Sequence, residues 1–126
     1  MAEAEQRKVA VVDDDHAVRD SLQFLLEVAG YSVEIFASAA EFLKANVQHF
    51  FCLILDHHMP KMTGLQLAEK LRVGGAAIPI LLITGFSSPA IIARAAELGI
   101  DGVLEKPFLG EDLISFVNAN RSQGYP

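Results

Sequence analysis

Three consecutive aspartates, Asp13-Asp14-Asp15, directly follow the apolar run Val9-Ala10-Val11-Val12. A fourth, Asp56, closes a second apolar run, Leu53-Ile54-Leu55, and leads into His57-His58-Met59-Pro60. Thr84 ends a third run, Ile80-Leu81-Leu82-Ile83, and Lys106 follows a fourth, Gly102-Val103-Leu104, within Glu105-Lys106-Pro107-Phe108. Carboxylates gathered at one place repel, and each has its pKa raised unless a cation compensates. Oxygen ligands, completed by water and a backbone carbonyl, suit Mg²⁺ or Mn²⁺. Such an ion would neutralise one oxygen of a phosphoryl group while Lys106 and Thr84 hold the others, in line with an Asp56 oxygen. Carboxylate is a known nucleophile for this covalent aspartyl-phosphate chemistry.

Taken singly, each residue has a plainer explanation. Asp15 or Asp14 could cap a helix, Asp56 could serve a turn before Pro60, and Thr84 could simply end a strand. Lys106 alone would read as a surface lysine. All of them nevertheless fall at the ends of predicted strands, which favours the chemical reading of the set. His57 and His58 invite a transition-metal site, but neighbouring residues of an extended segment point to opposite sides. His16 and His49 have no ligand-like spacing to them.

The elements that must position these groups are legible as alternating patterns. Val9–Val12, Leu53–Leu55 and Ile80–Ile83 read as buried strands, Ser32–Phe36 as an alternating strand nearer an edge, and Gly102–Leu104 as a weaker fifth. Val18, Leu22, Leu25, Leu26 and Ala29 recur at helical spacing, with Gly30 as the stop. Ser38 with Glu41, and Thr63 with Gln66, fit the capping box. Pro89 suits a first helical turn and Gly99 the end of that helix. Leu109, Leu113, Phe116 and Val117 mark one face of a last helix. Five strands alternating with five helices predict an α/β domain: a five-stranded parallel sheet, flavodoxin-like (βα)5, strand order 2-1-3-4-5, with helices on both faces. In such sheets ligands bind beyond the C-terminal strand ends, where the polar set lies.

At 126 residues, the chain has the length of one domain, 1–126, burying about two-thirds of its unfolded surface. Residues 121–126 read as a tail or the start of a linker. A net charge of -6 would repel phosphate backbones, so direct nucleic-acid binding is not expected. The one cysteine, Cys52, lies among apolar neighbours and reads as an inert buried thiol. Met1-Ala2-Glu3-Ala4-Glu5 lacks the positive charge and apolar run of a signal peptide. No apolar stretch reaches the ~20 residues that span a bilayer. A cytoplasmic location is therefore expected, with no membrane partner.

These motifs resemble the receiver domains of bacterial two-component response regulators over about residues 7–120. Val11-Val12-Asp13-Asp14-Asp15 resembles the family's acidic pocket. Asp56-His57-His58-Met59-Pro60 with Thr63-Gly64 resembles its phosphoacceptor loop, D-x-x-M-P-x-x-x-G. Thr84-Gly85 and Lys106-Pro107-Phe108 resemble the switch threonine and the lysine-proline motif. The resemblance implies a phosphorylation-dependent switch, a regulator rather than an enzyme in the ordinary sense, that accepts a phosphoryl group on Asp56 from a histidine kinase or phosphotransfer protein. It implies Mg²⁺ bound by Asp14 directly, Asp13 largely through water, Asp56, and the His58 backbone carbonyl. Thr84 would move to bond the phosphoryl group, Lys106 would pair with it, and the Lys106-Pro107 bond would be cis. The wording is most similar to receivers that precede LuxR-type helix-turn-helix outputs. A phosphorylation-enhanced homodimer through the fourth helix, fifth strand and fifth helix is a further implication.

Val103 departs from the pattern, standing where the family often has a switching Tyr or Phe. His58 and Phe86 fall near the phosphoryl position, where bulk would shield it from water. The competing readings are a pseudo-receiver that keeps the fold without accepting phosphate, a flavodoxin and a hydrolase. A flavodoxin needs a hydroxyl- and glycine-rich loop where this chain has three aspartates. A hydrolase needs a second acid–base carboxylate, which Asp56-His57-His58 lacks.

Overall fold

The computed structural model describes residues 7–121, so the N-terminal Met1–Glu5 and most of the expected tail lie outside the described residues. Apolar runs become strands β1 (Lys8–Val12), β2 (Val33–Phe36), β3 (Phe50–Asp56), β4 (Ile80–Thr84) and β5 (Gly102–Glu105). Between them lie helices α1 (His16–Val28), α2 (Ala39–Leu43), α3 (Gly64–Val73), α4 (Pro89–Glu97) and α5 (Gly110–Arg121). All pairings are parallel and the order is β2-β1-β3-β4-β5, as expected. Among the described residues, no helix is long and apolar enough to cross a membrane.

Side chains alternate across the sheet and divide the core in two. Ala10, Val12, Leu53, Leu55, Ile80 and Leu82 face α2, α3 and α4, meeting Phe42, Leu67 and Leu71. Val9, Val11, Cys52, Ile54, Leu81 and Ile83 face α1 and α5, meeting Leu22, Leu26, Leu113 and Val117. Because β1, β3 and β4 are covered on both faces, they read as unbroken apolar runs. β2 and β5, with one neighbour each, carry half-exposed residues.

Helix ends follow local chemistry. Asp15 caps α1 by accepting from the Val18 amide, so the plainer explanation holds for this member of the triplet. Gly30, at φ 99°, stops α1 as its amide meets Glu27 and that of Tyr31 meets Leu26. Thr63 and Gln66 form the complete capping box of α3. Ser38 caps α2, but the Glu41 carboxylate accepts from Ala37 rather than Ser38, completing only half of the expected box. Leu109 lies before α5 and is 62% exposed, so it does not share the buried face of Leu113 and Val117. At the other end of the helix the buried face continues to Asn120, whose amide donates to the Phe116 carbonyl.

Candidate functional site

Strand order reverses between β1 and β3, and their C-terminal ends bring the acidic groups together. One carboxylate oxygen from each of Asp13, Asp14 and Asp56 lies within 4.8 Å of the others. Asp13 and Asp56 are only 2% and 3% exposed, whereas Asp14 faces solvent. Asp13 is held at both ends of the residue. Its Oδ1 accepts from the Asp15 amide at 2.9 Å and its carbonyl accepts from Arg19 Nη1 at 2.9 Å. Asp13 Oδ2 is buried with no hydrogen-bond partner.

Asp56 ends β3, and the Lys106 Nζ sits 3.3 Å from its Oδ1. That contact is an ion pair without hydrogen-bond alignment, so Oδ1 still lacks a directed donor. Burial pushes the Asp13 carboxyl up to about 6, helped by the Asp56 and Asp14 charges and opposed by the Asp15 amide and Lys106. Burial likewise raises Asp56, against the lowering effect of Lys106. A buried polar atom left unpaired is costly, and these two oxygens, clustered with the Asp14 carboxylate, form a natural seat for a small cation. The donor set fits a hard divalent ion, since it is all oxygen. The His58 carbonyl, an expected ligand, accepts no hydrogen bond among the described residues.

Gly64 lets the loop after Asp56 close. A Cβ there would lie 2.6 Å from the Asp56 carbonyl and 2.9 Å from both His57 Cα and Leu82 Cδ1. Met59 anchors the loop in the core, and Lys61 turns it at φ 70°. The Lys106-Pro107 bond is cis, as the resemblance implied.

Thr84 is fully buried at the end of β4 and makes no hydrogen bond to Asp56. Its hydroxyl instead donates to the Phe86 carbonyl at 3.0 Å, accepts from the Phe86 amide at 3.2 Å and meets His58 Nε2 at 2.9 Å. The Phe86 ring is 67% exposed. The two histidines do not point apart as expected. The chain bends after Asp56, and their rings meet edge to face with centroids 5.0 Å apart. A shared metal is still disfavoured because His57 Nδ1 accepts from the Leu65 amide at 3.4 Å while His58 Nε2 is engaged by Thr84. Burial lowers the His57 pKa, aided by the neighbouring His58.

Arg19 was not anticipated from sequence, although a cation one turn after the acidic triplet was the available signal. Val103, at the usual aromatic position, is half-buried against the α4 side of the core with Ile91. Ile92, on the same helix, is 46% exposed.

An open parallel sheet whose switch point holds paired buried aspartates beside a lysine and a hydroxyl defines a class of α/β domains with an acidic pocket at the sheet edge. The chain belongs to the response regulator receiver domain family, which matches it over residues 9–118. The transcriptional regulatory protein FixJ of Bradyrhizobium diazoefficiens is 36% identical over 119 residues, covering 94% of this chain and 58% of that protein. FixJ of Azorhizobium caulinodans is 40% identical over 117 residues, covering 92% of this chain and 56% of its own length. The crystal structure of full-length FixJ from B. japonicum superposes with a TM-score of 0.82 at 36% identity, covering 94% of this chain and 59% of that one. The chain therefore spans about half the length of the curated relatives it matches. As a receiver domain it is a signalling regulator, consistent with a phosphorylation-dependent two-component switch.

Proposed function

We propose that Asp56 is the phosphoacceptor of this switch. The observation that carries the reading is the pair of buried carboxylates with unpartnered oxygens, Asp13 Oδ2 and Asp56 Oδ1, converging with Asp14 beside Lys106. Asp13, Asp14, Asp56 and the His58 carbonyl would hold Mg²⁺ or Mn²⁺. Bound there, the ion supplies charge neutralisation for the incoming phosphoryl oxygens. An Asp56 carboxylate oxygen attacks phosphorus, a P–O bond forms, and the P–N bond to a kinase histidine breaks with its electron pair returning to the imidazole. Lys106, 3.3 Å from Asp56, then pairs with a phosphoryl oxygen, and Thr84 donates to another. Slow hydrolysis of the acyl phosphate resets the site.

A histidine kinase or phosphotransfer protein is the donor in this reading. Residues 1–126 form one receiver unit, with 121–126 its tail or the start of a linker. The named relatives are transcriptional regulators, so control of transcription through a separate output is the proposed consequence. A homodimer through α4, β5 and α5 would transmit the change.

Intact-mass measurement after incubation with acetyl phosphate, with and without Mg²⁺, tests the reading. Addition of one phosphoryl group that needs Mg²⁺ and is lost in Asp56→Asn is the expected result. Folded wild-type protein that stays unmodified under every condition would instead make the chain a pseudo-receiver.

A further inference from the structure

The Thr84 hydroxyl has one proton to donate and two lone pairs to receive. In the structure all three are committed. The proton goes to the Phe86 carbonyl at 3.0 Å, one lone pair receives the Phe86 amide at 3.2 Å, and His58 Nε2 occupies the remaining place at 2.9 Å. With the hydroxyl proton assigned to the Phe86 carbonyl, the complementary tautomer makes His58 the donor in its contact, through Nε2–H.

The imidazole is also braced from behind. The His57 ring packs on it edge to face, at 5.0 Å and an interplanar angle of 67°. His57 is pinned in turn, because its Nδ1 accepts from the Leu65 amide in the first turn of α3. A continuous chain of contacts therefore runs from the start of α3 through both histidines to Thr84. It ends on Phe86, in the loop before α4.

We propose that His58 is a positioning residue: its Nε2–H holds the Thr84 hydroxyl on the Phe86 carbonyl, and this latch must open before Thr84 can reach a phosphoryl group on Asp56. The inference rests on Asp56 being the acceptor. It adds a side-chain role to a residue whose backbone carbonyl is the expected ligand. The latch favours the unphosphorylated arrangement, and its loss biases an existing two-state equilibrium toward the phosphoryl-bound one. It also acts differently from a shield. A shield hinders water at the phosphoryl group directly, whereas the latch acts only through the threonine hydroxyl.

The test uses beryllofluoride with Mg²⁺ as the phosphoryl mimic, and NMR of the Thr84 methyl group and its χ1 couplings. His58→Ala is expected to move the Thr84 methyl signal of the unloaded protein toward its beryllofluoride-loaded position. It should also lower the beryllofluoride concentration for half-saturation about 2–10-fold, the ratio to which one ordinary hydrogen bond corresponds. His58→Gln, which keeps a donor, should stay near wild type. In a Thr84→Val background the His58→Ala effect should vanish.

An unchanged Thr84 rotamer in unloaded His58→Ala would overturn the latch. So would an equal affinity gain in the Thr84→Val background, which would mean direct action on the phosphoryl group. If wild-type protein fails to bind beryllofluoride, the acceptor reading falls. The Thr84 couplings of the unloaded variants then still decide whether His58 holds the hydroxyl.

Discussion

Asp13→Asn should stabilise the protein at neutral pH in the absence of a divalent cation. Asp13 is 2% exposed and its Oδ2 lacks a partner. Burial raises its pKa from the ordinary 3.8 to about 6. A rise of roughly two pH units corresponds to about 3 kcal/mol at 1.36 kcal/mol for each. The sign follows from the direction of the rise. The folded state holds the proton more tightly than the unfolded chain, so the favourable contribution is complete below pH 3.8. It is then lost as pH climbs through about 6. Above that, the wild type carries the full cost of a charged, buried carboxylate. Asparagine avoids the charge, while its carbonyl can still accept from the Asp15 amide that now bonds Oδ1 at 2.9 Å.

Urea unfolding followed by circular dichroism, in EDTA at pH 4 and pH 7, measures the effect. Comparison with wild type at each pH cancels most contributions from the other acids. The stability of Asp13→Asn relative to wild type should rise by about 2.4 kcal/mol from the lower to the higher pH, most of the full difference, because pH 4 lies close to the unfolded-state value of 3.8. Saturating Mg²⁺ should reverse much of the advantage, because a ligand at 100 times its Kd stabilises the native state by about 2.7 kcal/mol. The variant has lost one of the proposed ligands. A relative stability that stays flat between the two pH values, or an asparagine variant weaker than wild type at pH 7 in EDTA, would refute the electrostatic reasoning.

Two further variants probe the scaffold beneath the site. Gly64→Ala places a methyl 2.6 Å from the Asp56 carbonyl, against backbone that cannot swing aside; urea unfolding should show a loss of about 1–3 kcal/mol, and an unchanged midpoint would contradict the close approach. Arg72 donates to the carbonyls of Ala76, Ile78, Leu98 and Gly99, tying the α3–β4 loop to the end of α4; Arg72→Ala should cost about 2–4 kcal/mol by the same assay. Arg72→Lys should recover little of it, since an ammonium cannot reproduce the guanidinium fork.

Much of the fold and most of the site can be read directly in the sequence. Val9–Val12 and Ile80–Ile83 are continuous apolar runs because their strands are covered on both faces, and that pattern needs no partner to be recognised. Caps such as Asp15, Ser38 and Thr63 are local, each satisfying an amide three residues on. The parallel topology then requires that residues following the strands share one edge. Asp13, Asp56, Thr84 and Lys106 could therefore be grouped before any coordinate was known.

Contacts between distant elements depend on loop path and side-chain reach, which periodicity does not encode. The bend after Asp56 brings the two histidine rings together and aims His58 at Thr84, 26 residues away. Arg72 likewise finds carbonyls 26 and 27 residues distant, and Leu109 misses the helix whose face its spacing matched. Which groups stand at the sheet edge follows from local pattern, because apolar spacing and caps are properties of neighbouring residues. Which of those groups touch, and the engagement of the Thr84 hydroxyl by His58 and Phe86, emerge with the folded chain, because hydrogen bonding is settled by a few tenths of an ångström between segments that meet on folding.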